Sequence, residues 1–149
     1  RDRDVMLCIQ PGEHGSTYGG NPLGSAVAIT ALDTIVKENM CERAEKLGES
    51  MRSSLKQIQN PLLLEVRGKG LLNAIVIDET KSTKGRSAWD LCLLLKDKGL
   101  LAKPTHQNII RLAPPLVISE EEMERGIKII TEALDDLDKV DTIPGAEAH

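Results

Sequence analysis

Apolar residues recur at helical spacing in two stretches of the chain. Ser119 and Glu122 have the spacing of a capping box, and apolar residues then follow at intervals of four and three, so the pattern predicts a helix after Ser119. An equivalent stripe predicts a helix after Asn39, with Glu42 at the capping-box position. The two stripes are Met123, Ile127, Ile130, Leu134 and Leu137, and Ala44, Leu47, Met51, Leu55 and Ile58.

Short apolar runs between these stripes predict strands. Residues 62–67 and 71–77 flank Gly68-Lys69-Gly70, which predicts a hairpin. A further helix is predicted from Ser87 to Lys98, with Gly99 as its stop signal, and short strands at 100–102 and 108–112. Residues 41–138 are therefore expected to form a small domain of antiparallel strands covered by helices. Residues 139–149, which contain Pro and Gly and little apolar content, are expected to be a disordered tail.

The first 40 residues have a different character. Residues 5–10 are predicted to form a buried strand, and a Gly-rich loop follows. Asn21 and Pro22 predict the start of a helix, because Asn is a common N-cap residue and Pro is favoured in the first turn. Residues 23–36 are almost wholly apolar or small, which is typical of a helix buried on all sides. We therefore expect this segment to need neighbours that it does not itself supply.

Composition narrows the class of function. The 149 residues include one Trp, one Tyr and no Phe, so the chain lacks the aromatic platforms on which nucleic-acid bases stack. The net charge of −4 and the absence of a basic patch give no sign of a nucleic-acid or anionic-lipid partner. The three scattered cysteines fit a reducing compartment, and no Cys/His spacing fits structural zinc. Because the first residue is Arg1 rather than Met, we expect the chain to be part of a longer polypeptide.

The Gly-rich loop, residues 11–22, is the first candidate for chemistry. Ser16 and Thr17 present hydroxyls just before the predicted helix, an arrangement suited to an anion such as phosphate. The loop does not fit a Walker A motif, because Asn21-Pro22 stands where Lys and Ser or Thr are required. The alternative is a tight connector in which the hydroxyls act only as caps.

Arg111 is the second candidate. It stands inside an apolar strand, where a buried guanidinium needs a carboxylate or phosphate partner. The alternative is an edge-strand arginine whose head reaches water. Arg67 has the same ambiguity, and there the turn-fixing role is favoured. Neither His14 nor His106 has a Ser or Cys nucleophile at a known motif spacing.

Longer strings in the sequence carry a family resemblance. Residues 11–24 (PGEHGSTYGGNPLG), 66–74 (VRGKGLLNA), 99–106 (GLLAKPTH) and 109–116 (IIRLAPPL) are similar to the C-terminal part of ornithine aminotransferases. These are class III aminotransferases, which depend on pyridoxal phosphate. The resemblance reaches to about Leu137 and implies an α/β fold, the C-terminal part of a fold-type I pyridoxal-phosphate-dependent transferase. It also implies that residues 1–40 end the large cofactor-binding domain and that residues 41–138 are the small domain.

The resemblance also implies roles for individual residues. Ser16 and Thr17 correspond to the pair that binds the phosphate of pyridoxal phosphate in the other subunit of a homodimer. Arg111 corresponds to the arginine that binds a substrate carboxylate. The Schiff-base lysine would lie upstream of Arg1, so this chain would contain no catalytic residue and would be inactive alone. No metal is implied.

The implied reaction moves the δ-amino group of ornithine to 2-oxoglutarate and gives glutamate semialdehyde and glutamate, in the cytoplasm or the mitochondrial matrix. The alternatives are another class III ω-aminotransferase, of the acetylornithine or γ-aminobutyrate type, and a non-catalytic dimerisation or binding module.

Overall fold

The chain forms two compact units in a computed structural model that describes residues 3–17 and 19–146. Unit 1 is Arg1–Asn39, and unit 2 is Met40–His149. Each unit has its own elements and is described by itself. Among the described residues, no helix combines the length and the apolar character needed to cross a membrane.

Unit 1 contains two helices joined by the Gly-rich loop. Helix α1 spans Arg3–Met6 and helix α2 spans Pro22–Lys37. The predicted strand at 5–10 is therefore wrong: Leu7 N–H donates to the Arg3 carbonyl at 2.9 Å in a helical turn. A short apolar run has too few residues for its periodicity to separate strand from helix, and the described part of unit 1 offers it no strand partner.

Helix α2 begins as predicted and leaves its apolar side chains exposed. The Asn21 side chain accepts a hydrogen bond from Gly24 N–H at 3.1 Å, and Pro22 occupies the first turn. Helix α2 contains no buried residue, which agrees with the expectation that this segment needs neighbours that it does not itself supply. The described residues of unit 1 supply one short helix and a loop besides α2, which is too little chain to cover 16 residues on all sides.

The described residues of unit 2 form a four-stranded antiparallel sheet, three α-helices and a short 3-10 helix at Glu79–Lys81. The sheet order is β1-β2-β4-β3, and β1 and β2 form the predicted hairpin. The predicted strand at 100–102 is wrong: these residues are in no strand, and β3 is formed by Lys103–Thr105. The elements are α3 (Met40–Lys56), β1 (Leu63–Lys69), β2 (Leu72–Ile77), α4 (Ala88–Asp97), β3 (Lys103–Thr105), β4 (Ile109–Leu112) and α5 (Glu120–Asp136).

The core of unit 2 lies between one face of the sheet and the helices. Side chains alternate between the two faces of the sheet. Val66, Ile75 and Ile110 point into the core and are buried, while Arg67 and Arg111, next to them in the chain, are exposed. Helix α3 packs against β1 and β2, α4 packs against β3 and β4, and α5 packs against α3 and α4. The aliphatic core that composition predicts is therefore in place.

Capping boxes start two of these helices. Ser119 Oγ accepts from Glu122 N–H at 3.1 Å, and the Glu122 carboxylate accepts from Ser119 N–H at 2.9 Å, as predicted. Ser87 and Asp90 form the same reciprocal pair at the start of α4. Gly99, with a φ of 94°, follows α4 as the predicted stop signal.

Residues 139–146 do not fit the predicted disordered tail, whose last residues, 147–149, lie outside the described residues. Ile143 is buried in the core of unit 2. The Arg86 guanidinium donates to the carbonyls of Val140 and Asp141 at 2.9 and 3.0 Å, and Lys84 Nζ lies 2.8 Å from the Asp141 carboxylate. These cations come from the loop between β2 and α4, a partner distant in sequence that composition could not indicate.

Candidate functional site

The Gly-rich loop of unit 1 carries Ser16 and Thr17 a few residues before Pro22, where α2 begins. Ser16 Oγ accepts a hydrogen bond from Gly19 N–H at 3.0 Å, which closes a small turn. Gly20 follows with a φ of 73°, a conformation that favours glycine, and nothing lies within 4 Å of the Cβ that another residue would carry there. Ser16 and Thr17 are both exposed. The loop thus leaves its two hydroxyls and its backbone accessible from outside the unit.

This donor set suits a phosphate group. Hydroxyls and backbone N–H groups at the N-terminus of a 16-residue helix combine hydrogen-bond donors with the positive end of the helix dipole. Both residues assigned to phosphate binding therefore lie where such chemistry is possible. Whether they bind a cofactor stays a prediction.

Arg111 lies near the middle of the sheet of unit 2. It is carried by β4, which has β2 on one side and β3 on the other, so the strand is not an edge strand. Its side chain is nevertheless exposed, because it projects from the face opposite the core. Within the part of the chain that the structure describes, the Arg111 guanidinium has no hydrogen bond or ion pair. The fold thus presents a free guanidinium on a fixed strand.

Strand register places further residues in one row with Arg111. Arg67 pairs with Ala74, Ala74 pairs with Arg111, and Arg111 pairs with Lys103, so all four project from the same sheet face. Sequence reasoning missed Lys103, which was placed in a loop between two predicted strands. The turn at His106 and Gln107 sets the register of the β3–β4 hairpin, and no strong sequence signal marks these two residues as a turn.

Three other arginines of unit 2 have partners among the described residues. Arg52 Nη1 donates to the Gly70 carbonyl at 2.9 Å and to Asn73 Oδ1 at 2.8 Å, which ties α3 to the β1–β2 turn. Arg43 donates to the carbonyls of Leu116 and Ile118, before α5. Arg67 Nε lies 3.5 Å from the Glu65 carboxylate. The Arg111 guanidinium differs from these three because it has no hydrogen bond or ion pair among the described residues.

A cleft of about 450 Å³ opens in unit 2, with Arg111 among its lining residues. Its walls are mainly aliphatic and come from the end of β4, the segment after α4 and the first turns of α5, which also contribute Glu122 and Arg125. The volume is within the range of small-molecule sites. A substrate-sized space therefore adjoins the strand that carries Arg111.

The remaining candidate side chains of the described residues show no catalytic arrangement. Burial raises the pKa of the Cys92 thiol to about 11, so it stays protonated at neutral pH and packs as an apolar residue. His14 lies exposed in the Gly-rich loop, and His106 lies in the β3–β4 turn. Across residues 3–17 and 19–146, no cluster of His, Cys, Asp and Glu could hold a metal ion.

Comparison with known proteins assigns the chain to a family. The family described as Aminotransferase class-III matches residues 1–134. An ornithine aminotransferase of Emericella nidulans is 67% identical over 135 residues, which cover 91% of this chain and 30% of that protein. A mitochondrial ornithine aminotransferase of Rattus norvegicus is 55% identical over 133 residues, covering 89% of this chain and 30% of that protein.

Solved structures give the same result for the fold. An acetylornithine aminotransferase from Elizabethkingia anophelis is 54% identical with a TM-score of 0.73, over 90% of this chain and 35% of that one. Ornithine δ-aminotransferase of Plasmodium falciparum is 41% identical with a TM-score of 0.77, over 91% of this chain and 35% of that one. The fold is therefore that of the matching part of these aminotransferases.

The chain spans about a third of the length of the curated relatives that it matches. Class III aminotransferases are pyridoxal-phosphate enzymes, and a solved structure of the Toxoplasma gondii ornithine aminotransferase has partial occupancy of this cofactor at its active site. The family match and the identities of 55% and 67% show that the chain belongs to the class III aminotransferases.

Proposed function

We propose that this chain is the C-terminal part of an ornithine aminotransferase. In this proposal residues 1–40 end the large domain, residues 41–138 are the small domain, and the whole enzyme moves the δ-amino group of ornithine to 2-oxoglutarate. The names of relatives that are 55–67% identical support this activity. Relatives named mitochondrial support the mitochondrial matrix as one compartment, with the cytoplasm as the other.

The observation that carries the proposal is the free guanidinium of Arg111. A guanidinium binds a carboxylate through two parallel N–H···O bonds, and both proposed substrates carry carboxylates. The sheet fixes the backbone of β4 on both sides, so the arginine starts from a defined position. In the proposed enzyme Arg111 binds and orients the substrate carboxylate and takes no part in proton transfer.

Ser16 and Thr17 are proposed to hold the cofactor phosphate of the other subunit of a homodimer. Their hydroxyls and the adjoining backbone suit the phosphate group. The Schiff-base lysine is proposed to lie outside these 149 residues. Pyridoxal phosphate, when bound, supplies the electron sink that makes transfer of the amino group possible.

The test uses the complete enzyme that contains these residues. Arg111→Gln removes the bidentate partner of the carboxylate and is expected to raise the KM for 2-oxoglutarate by about 10- to 100-fold, while the Kd for pyridoxal phosphate stays unchanged. Thr17→Ala is expected to do the reverse, with a Kd for the cofactor raised about 10-fold. Each variant is the control for the other.

Normal KM values for both substrates in Arg111→Gln would remove Arg111 from the site. The assay also separates a second candidate function, because one solved structure named acetylornithine aminotransferase is 54% identical to this chain. Activity with acetylornithine and none with ornithine would favour that candidate. Faster turnover of ornithine supports the main proposal.

A further inference from the structure

Lys103 lies directly opposite Arg111 in the β3–β4 hairpin. The two are register partners in an antiparallel pair, with Pro104 and Ile110 as the next pair along the hairpin. Directly opposed residues have Cβ atoms about 4.5–5.5 Å apart and project from the same face. The ammonium group of Lys103 and the guanidinium of Arg111 can therefore reach the same small ligand.

This pair of like charges is not neutralised within the described residues. Lys103 and Arg111 are both exposed, and neither side chain has an ion pair or hydrogen bond to any residue in 3–17 or 19–146. Arg67, at the other end of the row, differs because Glu65 lies 3.5 Å from it. Like charges directly opposite one another destabilise a sheet. An anion-binding site would explain this arrangement, because a bound anion attracts both cations and so offsets the repulsion between them.

We propose that Lys103 is a specificity-determining residue that makes the Arg111 site favour a dianionic keto acid over a cationic diamino acid. The proposal rests on the function proposed above. Arg111 alone forms the same two-bond pair with one carboxylate of either substrate, so its hydrogen bonds do not separate the two. A second positive charge beside it increases the electrostatic preference for the dianion.

The charges of the two substrates at neutral pH make the distinction. 2-Oxoglutarate carries two carboxylates and no cation, whereas ornithine carries one carboxylate and two ammonium groups. Lys103 attracts the first and repels the ammonium groups of the second. The site is exposed in unit 2, so the effect is that of a partly screened charge pair and weakens as salt rises.

The experiment is substrate kinetics of the complete enzyme with Lys103→Met, which keeps an unbranched side chain one atom shorter than lysine and removes its charge. The KM for 2-oxoglutarate is expected to rise about 5- to 10-fold, while the KM for ornithine stays equal or falls and kcat stays within about twofold. Lys103→Arg should retain the original KM values because it retains the charge. Lys96→Met is the matched control, since Lys96 is an exposed lysine of α4 with no partner among the described residues.

Inhibition by unreactive acids gives a second readout. Glutarate and valerate have the same chain length and differ by one carboxylate. In Lys103→Met the Ki of glutarate should rise by the same factor as the KM for 2-oxoglutarate, and the Ki of valerate should change by a smaller factor. A thermal melt of each variant shows that the fold is retained.

The outcomes separate this inference from the proposed function. If Lys103→Met leaves both KM values unchanged, or raises both equally, Lys103 does not determine specificity, while Arg111→Gln still decides the proposed function by itself. If Arg111→Gln has normal KM values, the proposed function of the site fails whatever Lys103 does.

Discussion

Asp138 shows how one carboxylate joins two distant parts of unit 2. It follows α5, and its oxygens accept from Ser82 Oγ at 2.6 Å, Thr83 N–H at 2.7 Å and Thr83 Oγ1 at 3.1 Å. Burial opposes the charged form, but these hydrogen bonds outweigh it, so the pKa of Asp138 lies below its usual 3.8. The ionised form therefore stabilises the folded state.

The first prediction concerns acid stability. Asp138→Asn should lower the free energy of unfolding at pH 7 by about 1–2 kcal/mol, the scale of hydrogen bonds to a charged acceptor. Because the folded pKa is depressed, the contribution of the carboxylate is complete above pH 3.8 and is lost as the pH falls below it. Urea titrations of both proteins at pH 7, 5 and 3 measure the difference.

Glu124→Gln is the control for this experiment, since Glu124 is an exposed carboxylate of α5 with no partner among the described residues. It should change the stability by less than about 0.5 kcal/mol at every pH. A difference between Asp138→Asn and the original chain that stays constant down to pH 3 would contradict the assignment.

The sequence could identify some site residues and not others. Ser16, Thr17 and Arg111 stand in long strings that resemble a family, so their candidacy needs no structure. The place of Lys103 beside Arg111 depends on the residue at which the β3–β4 turn begins. That register is set by His106 and Gln107, two non-glycine residues with positive φ, for which the sequence has no strong turn signal.

At the scale of elements, the sequence predicted correctly the helix ends that depend only on neighbouring residues. The capping box of α5 and the stop signal of α4 were confirmed, because both depend on residues within one turn. The run at 5–10 was assigned wrongly as a strand, because whether a short apolar run forms a strand depends on partners in other parts of the chain. Neighbouring residues alone decide the caps of the helices. The run at 5–10 would need a strand partner, and the described part of unit 1 contains none.

Helix α3 touches the β1–β2 turn backbone to backbone. A Cβ at Gly48 would lie 1.8 Å from the Gly70 carbonyl oxygen, the same oxygen that accepts from Arg52. Gly48→Ala should therefore separate α3 from the hairpin and cost about 2–4 kcal/mol of stability, measured by chemical denaturation.

Gly126→Ala is the matched substitution in another helix. A Cβ at Gly126 would meet only Leu100 Cδ1, at an ordinary 3.7 Å. Alanine has the higher helix propensity, so this variant should be neutral or more stable by up to about 1 kcal/mol. Equal losses in Gly48→Ala and Gly126→Ala would show that the close contact is not what makes Gly48 necessary.

At the scale of the molecule, the two units differ in what holds them together. Every residue of the hydrophobic core cluster, from Ala44 to Ile143, belongs to unit 2. The sequence predicted a boundary near residue 40, because the helix after Asn39 has one apolar and one charged face, whereas the helical segment before it has no charged face. Unit 2 thus contains the interactions needed for cooperative folding.

We expect residues 40–149 produced alone to unfold cooperatively, with a thermal midpoint within about 5 °C of the 149-residue chain. Circular dichroism during a thermal melt measures the midpoint. The matched fragment 40–138 removes Ile143 and the carbonyls that Arg86 binds, so it should melt at a lower temperature. A non-cooperative melt of 40–149 would show that unit 2 depends on unit 1.

Helix α2 has a physical consequence for the chain in solution. Leu23, Ile29, Leu32 and Val36 are each more than 60% exposed, on a helix with one lysine and one aspartate. Such a surface lowers the free energy of the chain at any boundary between water and an apolar phase. The 149-residue chain should therefore behave as a surfactant, which adsorbs at air bubbles and plastic walls and is kept in solution by mild detergent.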